Sequence, residues 1–174
     1  MTMMETICQR RTIRSYTGEM ISENELDVIL KAANAAPVGM GRYEDSHLTI
    51  ITDPALLGEI KAVAGMTDRD VLYGAPMLIV VSQKLPESRA MDNVMYSNAA
   101  TIVENMALAA AELGVGACHI WGATMAMSSK AETVAKLSLP EGFVPCCAIA
   151  LGKTSEKYET RDIPCDRIGK NVIA

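Results

Sequence analysis

The sequence predicts a single domain that mixes helices and strands, and three observations carry that reading. The chain has 174 residues, a length that corresponds to one domain. Four short strand-length runs alternate with segments whose apolar residues recur at helical spacing. One long Ala- and Met-rich helical segment, from about Asn93 to Leu113, is apolar almost all round and calls for burial on most sides. On pattern alone, this alternation is the arrangement of an α/β sheet.

The elements follow in chain order. Residues 3–10 form a short helix with Met3 and Ile7 on one face. Arg11-Thr12-Ile13-Arg14-Ser15-Tyr16 is an extended basic stretch. Ser22 and Glu25 make a capping box for a helix whose stripe is Leu26, Ile29, Leu30 and Ala33, stopped before Pro37. Residues 38–46 are a Gly-containing loop, and 47–52 a strand. Asp53-Pro54 caps and opens a helix carrying Leu57, Ile60 and Ala64. Thr67-Asp68-Arg69-Asp70 is a polar break. Pro76 to Ser82, apolar on both faces, reads as a central strand. Gly114 ends the long helix, 117–121 is a short strand, Ser128 or Ser129 caps a small helix ending near Leu137, and 143–151 is the last strand. The tail from Lys153 onward has no periodicity and must lie against something or stay disordered.

Composition excludes several classes. Apolar residues make up 49% and charged residues 21%, values of a folded globular chain. With few aromatics and 12 Met, the core must be aliphatic and adaptable. A net charge of −5 disfavours nucleic-acid binding. No apolar run approaches the roughly 18–20 residues of a membrane span. The first residues do not read as a secretion signal, and the odd number of cysteines, 5, reads as reduced thiols. The expected location is therefore cytoplasmic. Neither His47 nor His119 has a ligand-spaced partner for a metal.

The sharpest chemical feature is Arg10-Arg11-Thr12-x-Arg14. Guanidinium forks grip phosphate bidentately and a hydroxyl completes the shell, although a solvated basic patch has the same composition. Gly114-x-Gly116 follows a helix and reads as its cap and turn, not as a dinucleotide fingerprint. Gly122, after a strand, leaves backbone N–H groups free to face a flat ligand. Cys146-Cys147 reads as core packing with the two side chains on opposite faces. Asp68, Arg69 and Asp70 read as a solvated loop, and His119 as a satisfied structural histidine. No nucleophile or phosphate-loop motif is present.

In this order, Glu5-Thr6-Ile7 to Arg10-Arg11-Thr12-Ile13-Arg14-Ser15-Tyr16, Ile21-Ser22-Glu23 to Ala36-Pro37, and Asn105-Met106-Ala107-Leu108 to Gly114-Val115-Gly116 resemble the FMN-dependent nitroreductase family in its short, single-domain form. The resemblance covers nearly the whole chain. It implies an α+β fold, with a mostly antiparallel central sheet flanked by helices, in an intertwined homodimer. Residues 1–174 would be one FMN-binding domain, with 153–174 as a tail packing on the partner subunit.

The resemblance also assigns residues. Arg10 would bind the FMN phosphate, with Arg11 and Thr12 beside it, and Arg14 would face the N1/O2 edge of the flavin. Trp121 and Gly122 match the place where backbone N–H groups meet flavin N5 and O4. Pro37, Val38 and Gly39 match a loop supplied by the partner subunit, and Arg161 or Arg167 a C-terminal cation on the phosphate. The loop continues as Met40-Gly41-Arg42-Tyr43-Glu44-Asp45 and lacks the family's usual Ser, Asn and Trp. At the pyrimidine edge, Asp68 and Val71 stand where Asn and Lys are frequent. The implied activity is reduction of nitroaromatics or quinones at the expense of NADH or NADPH, in a ping-pong cycle with no side chain as general acid. A non-catalytic flavin- or ligand-binding dimer and a dehalogenating or flavin-cleaving relative are the alternatives.

Overall fold

A computed structural model describes residues 2–64 and 70–173. Its centre is a four-stranded sheet of β1 (Ser46–Ile51), β2 (Met77–Lys84), β3 (Gly116–His119) and β4 (Phe143–Gly152), in the order β1-β2-β4-β3. Every pairing is antiparallel. The architecture is therefore α+β, as the family resemblance implies and unlike the α/β arrangement that alternation alone suggests. β2 is central, and its residues Met77–Gln83 are all buried.

Helices cover both faces of the sheet. One face presents Met77, Ile79, Val81, Ile149 and Leu151 to α2 (Glu23–Asn34) and α4 (Asp92–Leu113). The opposite face presents Leu78, Val80, Ala148 and Ala150 to α3 (Pro54–Ala64) and α5 (Trp121–Ser128). Each fully buried Ile or Leu contributes about 1.5–3 kcal/mol. α1 (Met3–Gln9) lies on α4, and α6 (Ala131–Ala135) beside α5.

Local signals explain the ends of most elements. Thr2 with Glu5, and Ser22 with Glu25, form complete capping boxes. Gly114 closes α4 in the left-handed conformation at φ 70°. The buried residues Met95, Ala99, Ile102, Val103, Met106 and Ala110 form a stripe along α4. Tyr96 and Ala100 are exposed, and Leu108 and Ala109 only half-buried, so the helix keeps an apolar flank uncovered by its own chain.

Three details depart from the sequence reading. β3 stops at His119, and Trp121 begins α5 instead of ending a strand. Ser128 and Ser129 close α5, their hydroxyls donating to the Thr124 and Ala126 carbonyls at 2.9 and 2.6 Å. α6 begins after Lys130 with no side-chain cap. The two thiols of Cys146-Cys147 do not take opposite faces. Val81 pairs with Cys147 and Ser82 with Pro145, so Cys146 is the extra residue of a β-bulge. Both cysteines then pack on the α4 side.

The tail divides in two. Residues 153–161 lie against their own chain. The Thr17 N–H donates to the Lys153 carbonyl at 2.9 Å, and Tyr158 Oη to the Val115 carbonyl at 2.8 Å. Residues 164–173 are exposed.

Candidate functional site

The basic stretch runs along the outer edge of β3. The Ile13 N–H donates to the Ala117 carbonyl at 2.9 Å, and Ile13 is fully buried. Close approach is possible because β3 and β4 meet through Gly116 and Gly152. A Cβ at Gly116 would lie 3.0 Å from Tyr16 Cε1, and one at Gly152 would lie 3.1 Å from Tyr16 Cδ1. Burial raises the Tyr16 phenol well above its ordinary pKa, and the hydroxyl donates to the Ala150 carbonyl at 3.1 Å. An apolar residue inside and a pinned Tyr thus hold the stretch while its arginines stay accessible.

Each arginine has a different partner. Arg10 Nε lies 3.3 Å from Glu104 Oε1, and His119 Nε2 lies 3.2 Å from Glu104 Oε2. The His119 bond holds the Glu104 carboxyl below its usual range against the opposing push of burial, and Arg10 adds to that effect. His119 is thus partnered, in line with the structural role expected for it. Arg11 Nη2 donates to Glu156 Oε2 at 2.7 Å. Arg14 stands 5.7 Å above the ring of Tyr73 and beside Cys118, whose thiol is pushed up by burial while Arg14 draws it down. Thr12 is half-buried between them in sequence.

Trp121 and Gly122 form the first turn of α5, directly after β3. Trp121 is 64% exposed, and no heavy atom lies within 4 Å of a Cβ placed at Gly122. The preceding Ile120 offers no side-chain cap, so the first N–H groups of α5 have no such partner. Trp121 also lines an open cavity of about 500 Å³ with Tyr96, Met125, Cys146 and Cys147.

The structure therefore brings Arg10 and His119 together at Glu104 of α4, sets Trp121 and Gly122 directly after β3, and turns Arg14 toward Cys118 and Tyr73 on the side of the sheet that packs against α3 and α5. It sets Pro37, Val38 and Gly39 apart from them, on the first half of α4. There, Thr101 Oγ1 donates to the Pro37 carbonyl at 3.2 Å, and the Gly39 N–H donates to Asn98 Oδ1 at 2.9 Å. Gly39 lines a different cavity of about 340 Å³ with Met40, Gln83, Lys84 and Asn98. Arg161 turns inward: its Nε donates to the Cys8 carbonyl at 3.0 Å and its Nη2 to the Arg10 carbonyl. It thereby closes the C-terminus of α1 and fixes the backbone of Arg10. Arg167 is exposed. Asp68 and Arg69 lie outside the described residues.

Two residues escaped the sequence reading. Glu104 belongs to a 22-residue helix with no basic residue, and that lone mid-helix charge was the signal of a partner elsewhere. Tyr73 carried no local signal. Its φ of 56° is strain of order 1–3 kcal/mol that only coordinates reveal.

Known proteins resemble this chain in sequence and fold. The model of the nitroreductase family matches residues 7–67 and 61–153. A Methanothermobacter thermautotrophicus protein provisionally named NADH dehydrogenase/NAD(P)H nitroreductase is 30% identical over 171 residues, covering 94% of this chain and 83% of its own. The FMN reductase (NADPH) of Bacillus subtilis is 26% identical over 165 residues, and this chain, matched over 86% of its length, spans only 64% of that protein. A crystallised nitroreductase with bound FMN from Desulfitobacterium hafniense superposes with a TM-score of 0.82 at 25% identity, covering 99% of this chain and all of the other. With the family model matching well over half of its residues and a full-length relative at that identity, the chain belongs to the nitroreductase family.

Proposed function

We propose that this chain is an FMN-dependent oxidoreductase that draws on NADH or NADPH and reduces electron-poor acceptors such as nitroaromatics or quinones in a ping-pong cycle. The observation that carries the reading is the placement of Arg10 and Arg14 along β3, which leads directly into the open, uncapped start of α5. The names of the relatives point the same way.

The residues fit the cofactor. A flat ring needs backbone donors with no side chain in the way, and the first turn of α5 offers Gly122. A phosphate needs guanidinium forks, and Arg10 and Arg11 supply them from one rigid stretch. Both hold carboxylates, so the phosphate joins or displaces Glu104 and Glu156. Arg161 supports this end by fixing the Arg10 carbonyl. Bound flavin supplies the two-electron chemistry between nicotinamide and acceptor. The protein binds, orients and sets the local field: Arg14 offers positive charge to the electron-rich edge of the ring, and the α5 amides offer hydrogen bonds to it.

The working unit in this reading is a cytoplasmic homodimer in which the single domain 1–174 packs the end of its tail on the partner and lends its 37–39 loop to the partner's site. Uncovered apolar groups support it: Met3, Met4 and Ile7 on α1, Tyr96 on α4, and Ile168, Val172 and Ile173 in the tail are 42–91% exposed. No helix among the described residues is long and apolar enough to cross a membrane.

The test is FMN titration followed by flavin fluorescence, with light scattering on the same sample. Arg10→Ala is expected to weaken FMN binding by about 1.5–3 kcal/mol, the worth of a charged hydrogen bond. Unchanged affinity removes Arg10 from the site. FMN binding without NAD(P)H oxidation in the presence of a nitroaromatic or quinone overturns the catalytic reading, and a monomer at micromolar concentration overturns the dimer.

A further inference from the structure

Between α3 and β2 the chain turns through residues 70–74, and Asp70 holds that turn. Its Oδ1 accepts from the Leu72 N–H at 2.9 Å and its Oδ2 from the Gly74 N–H at 2.8 Å. Lys61 Nζ lies 3.0 Å from the same Oδ2. Burial pushes the Asp70 carboxyl up, but the bonds from Lys61, Leu72 and Gly74 outweigh it and hold the group ionised below its ordinary range. Tyr73 and Gly74 are both left-handed, at φ 56° and 81°. Glycine takes that conformation freely, whereas a bulky aromatic there is an outlier.

Burial does not explain the tyrosine. Leu72 is fully buried and anchors the turn, while Tyr73 is 36% exposed. What the strained conformation achieves is contact: the ring lies under Arg14, 5.7 Å from its guanidinium carbon. Arg10 and Arg11 are held differently, by carboxylates that occupy N–H donors and offset charge. The Tyr73 ring carries no charge to offset that of Arg14 and takes none of its N–H donors as a carboxylate does.

We propose that Tyr73 is a positioning residue, whose ring lies under the Arg14 cation and fixes the direction in which its charge and donors face the pyrimidine edge of bound FMN, raising the reduction potential. This rests on the role given to Arg14 in the proposed function. The rigidity comes from a chain of contacts that runs from Lys61 through Asp70 and the 70–74 turn to Tyr73 and Arg14. Strain held against backbone preference at an exposed site is typical of functional positions.

The experiment compares Tyr73→Asn and Tyr73→Phe with wild type. Asn tolerates the left-handed conformation and lacks the ring, whereas Phe keeps the ring and the strain. The Asn apoprotein is expected to melt at a higher temperature than wild type. Its bound FMN is expected to lose preference for the reduced over the oxidised form about tenfold, a potential lower by about 30 mV. Tyr73→Phe is expected to retain the wild-type potential. An unshifted potential in FMN-loaded Tyr73→Asn overturns the positioning role, as does a Phe variant that falls as far as Asn. A lower melting temperature of the Asn apoprotein overturns the argument from strain. Wild type that takes up no FMN overturns the proposed function itself, and this inference with it, an outcome distinct from the other three.

Discussion

Gly152 is where the scaffold of the site has no room to spare. It ends β4, pairs with Gly116 of β3, and lies between two rings. A Cβ there would stand 2.6 Å from Pro76 Cδ and 3.1 Å from both Pro76 Cγ and Tyr16 Cδ1. Carbon atoms settle at about 3.5–4.0 Å, so Gly152→Ala demands movement of about 1 Å. Neither neighbour yields easily. The Pro76 ring is part of the backbone entering β2, and Tyr16 is pinned by its bond to the Ala150 carbonyl. Overpacking of this kind costs about 1–3 kcal/mol. In a chain of this length each kcal/mol moves Tm by about 2–4 °C, so the variant should melt about 2–12 °C lower. A displaced Tyr16 would carry the Arg10–Arg14 stretch with it, and FMN affinity should fall in parallel. Thermal and urea unfolding of the apoprotein, followed by circular dichroism, measure the cost. Pro76→Ala combined with Gly152→Ala should recover about 0.5 kcal/mol or more relative to the sum of the single changes. Unchanged melting and urea midpoints in Gly152→Ala would refute the packing argument, and strict additivity would remove Pro76 from it.

Two further outcomes separate scaffold from site. Gly122→Ala meets no neighbour and lies in a helix, so the apoprotein should be as stable as wild type or up to about 1 kcal/mol more stable. FMN affinity should nonetheless fall by about 1–3 kcal/mol as α5 donors lose their partner, and unchanged affinity would place the ring elsewhere. The Glu25 carboxyl is drawn down to about 2, first by the Lys153 hydrogen bond and then by Ser22. A depressed folded pKa means stability present above the ordinary value of 4.5 and lost as pH falls from there toward 2. The Glu25–Lys153 pair is partly exposed and worth about 0.2–1 kcal/mol, so Lys153→Met should flatten the loss of urea stability across that window by this amount. An identical acid slope in the variant would show that the pair does not join α2 to the end of β4.

Much of the fold was legible because its signals act over a few residues. The capping box at Ser22, Asp53-Pro54, Gly114 after the long helix, and the β-rich run 47–52 each state an element in local chemistry. α5 was not legible, because Trp121-Gly122-Ala123-Thr124 carries no amphipathic stripe and Gly122 reads as a terminator. The helix exists because Ala123, Thr124 and Met127 bury against the sheet and α3. Nor was the bulge at Cys146, since alternation along one strand says nothing of the register it meets in β2.

The site divides in the same way. Arg10, Arg11, Thr12 and Arg14 announce an anion site by residue type and spacing, and those are properties of the sequence alone. Which guanidinium meets Glu104, which meets Glu156 and which meets a tyrosine ring depends on contacts between residues far apart in the chain, and no local pattern encodes them. Strand direction has the same origin. Alternating helices and strands satisfy both parallel and antiparallel sheets, and the order β1-β2-β4-β3 follows only when two-sided burial of β2 and β4 is met by helices on both faces. Sequence determined most of the elements and the chemistry on offer. Tertiary structure decided which charges are spent on one another and which remain for a ligand, because that depends on burial and distance between segments brought together by the core.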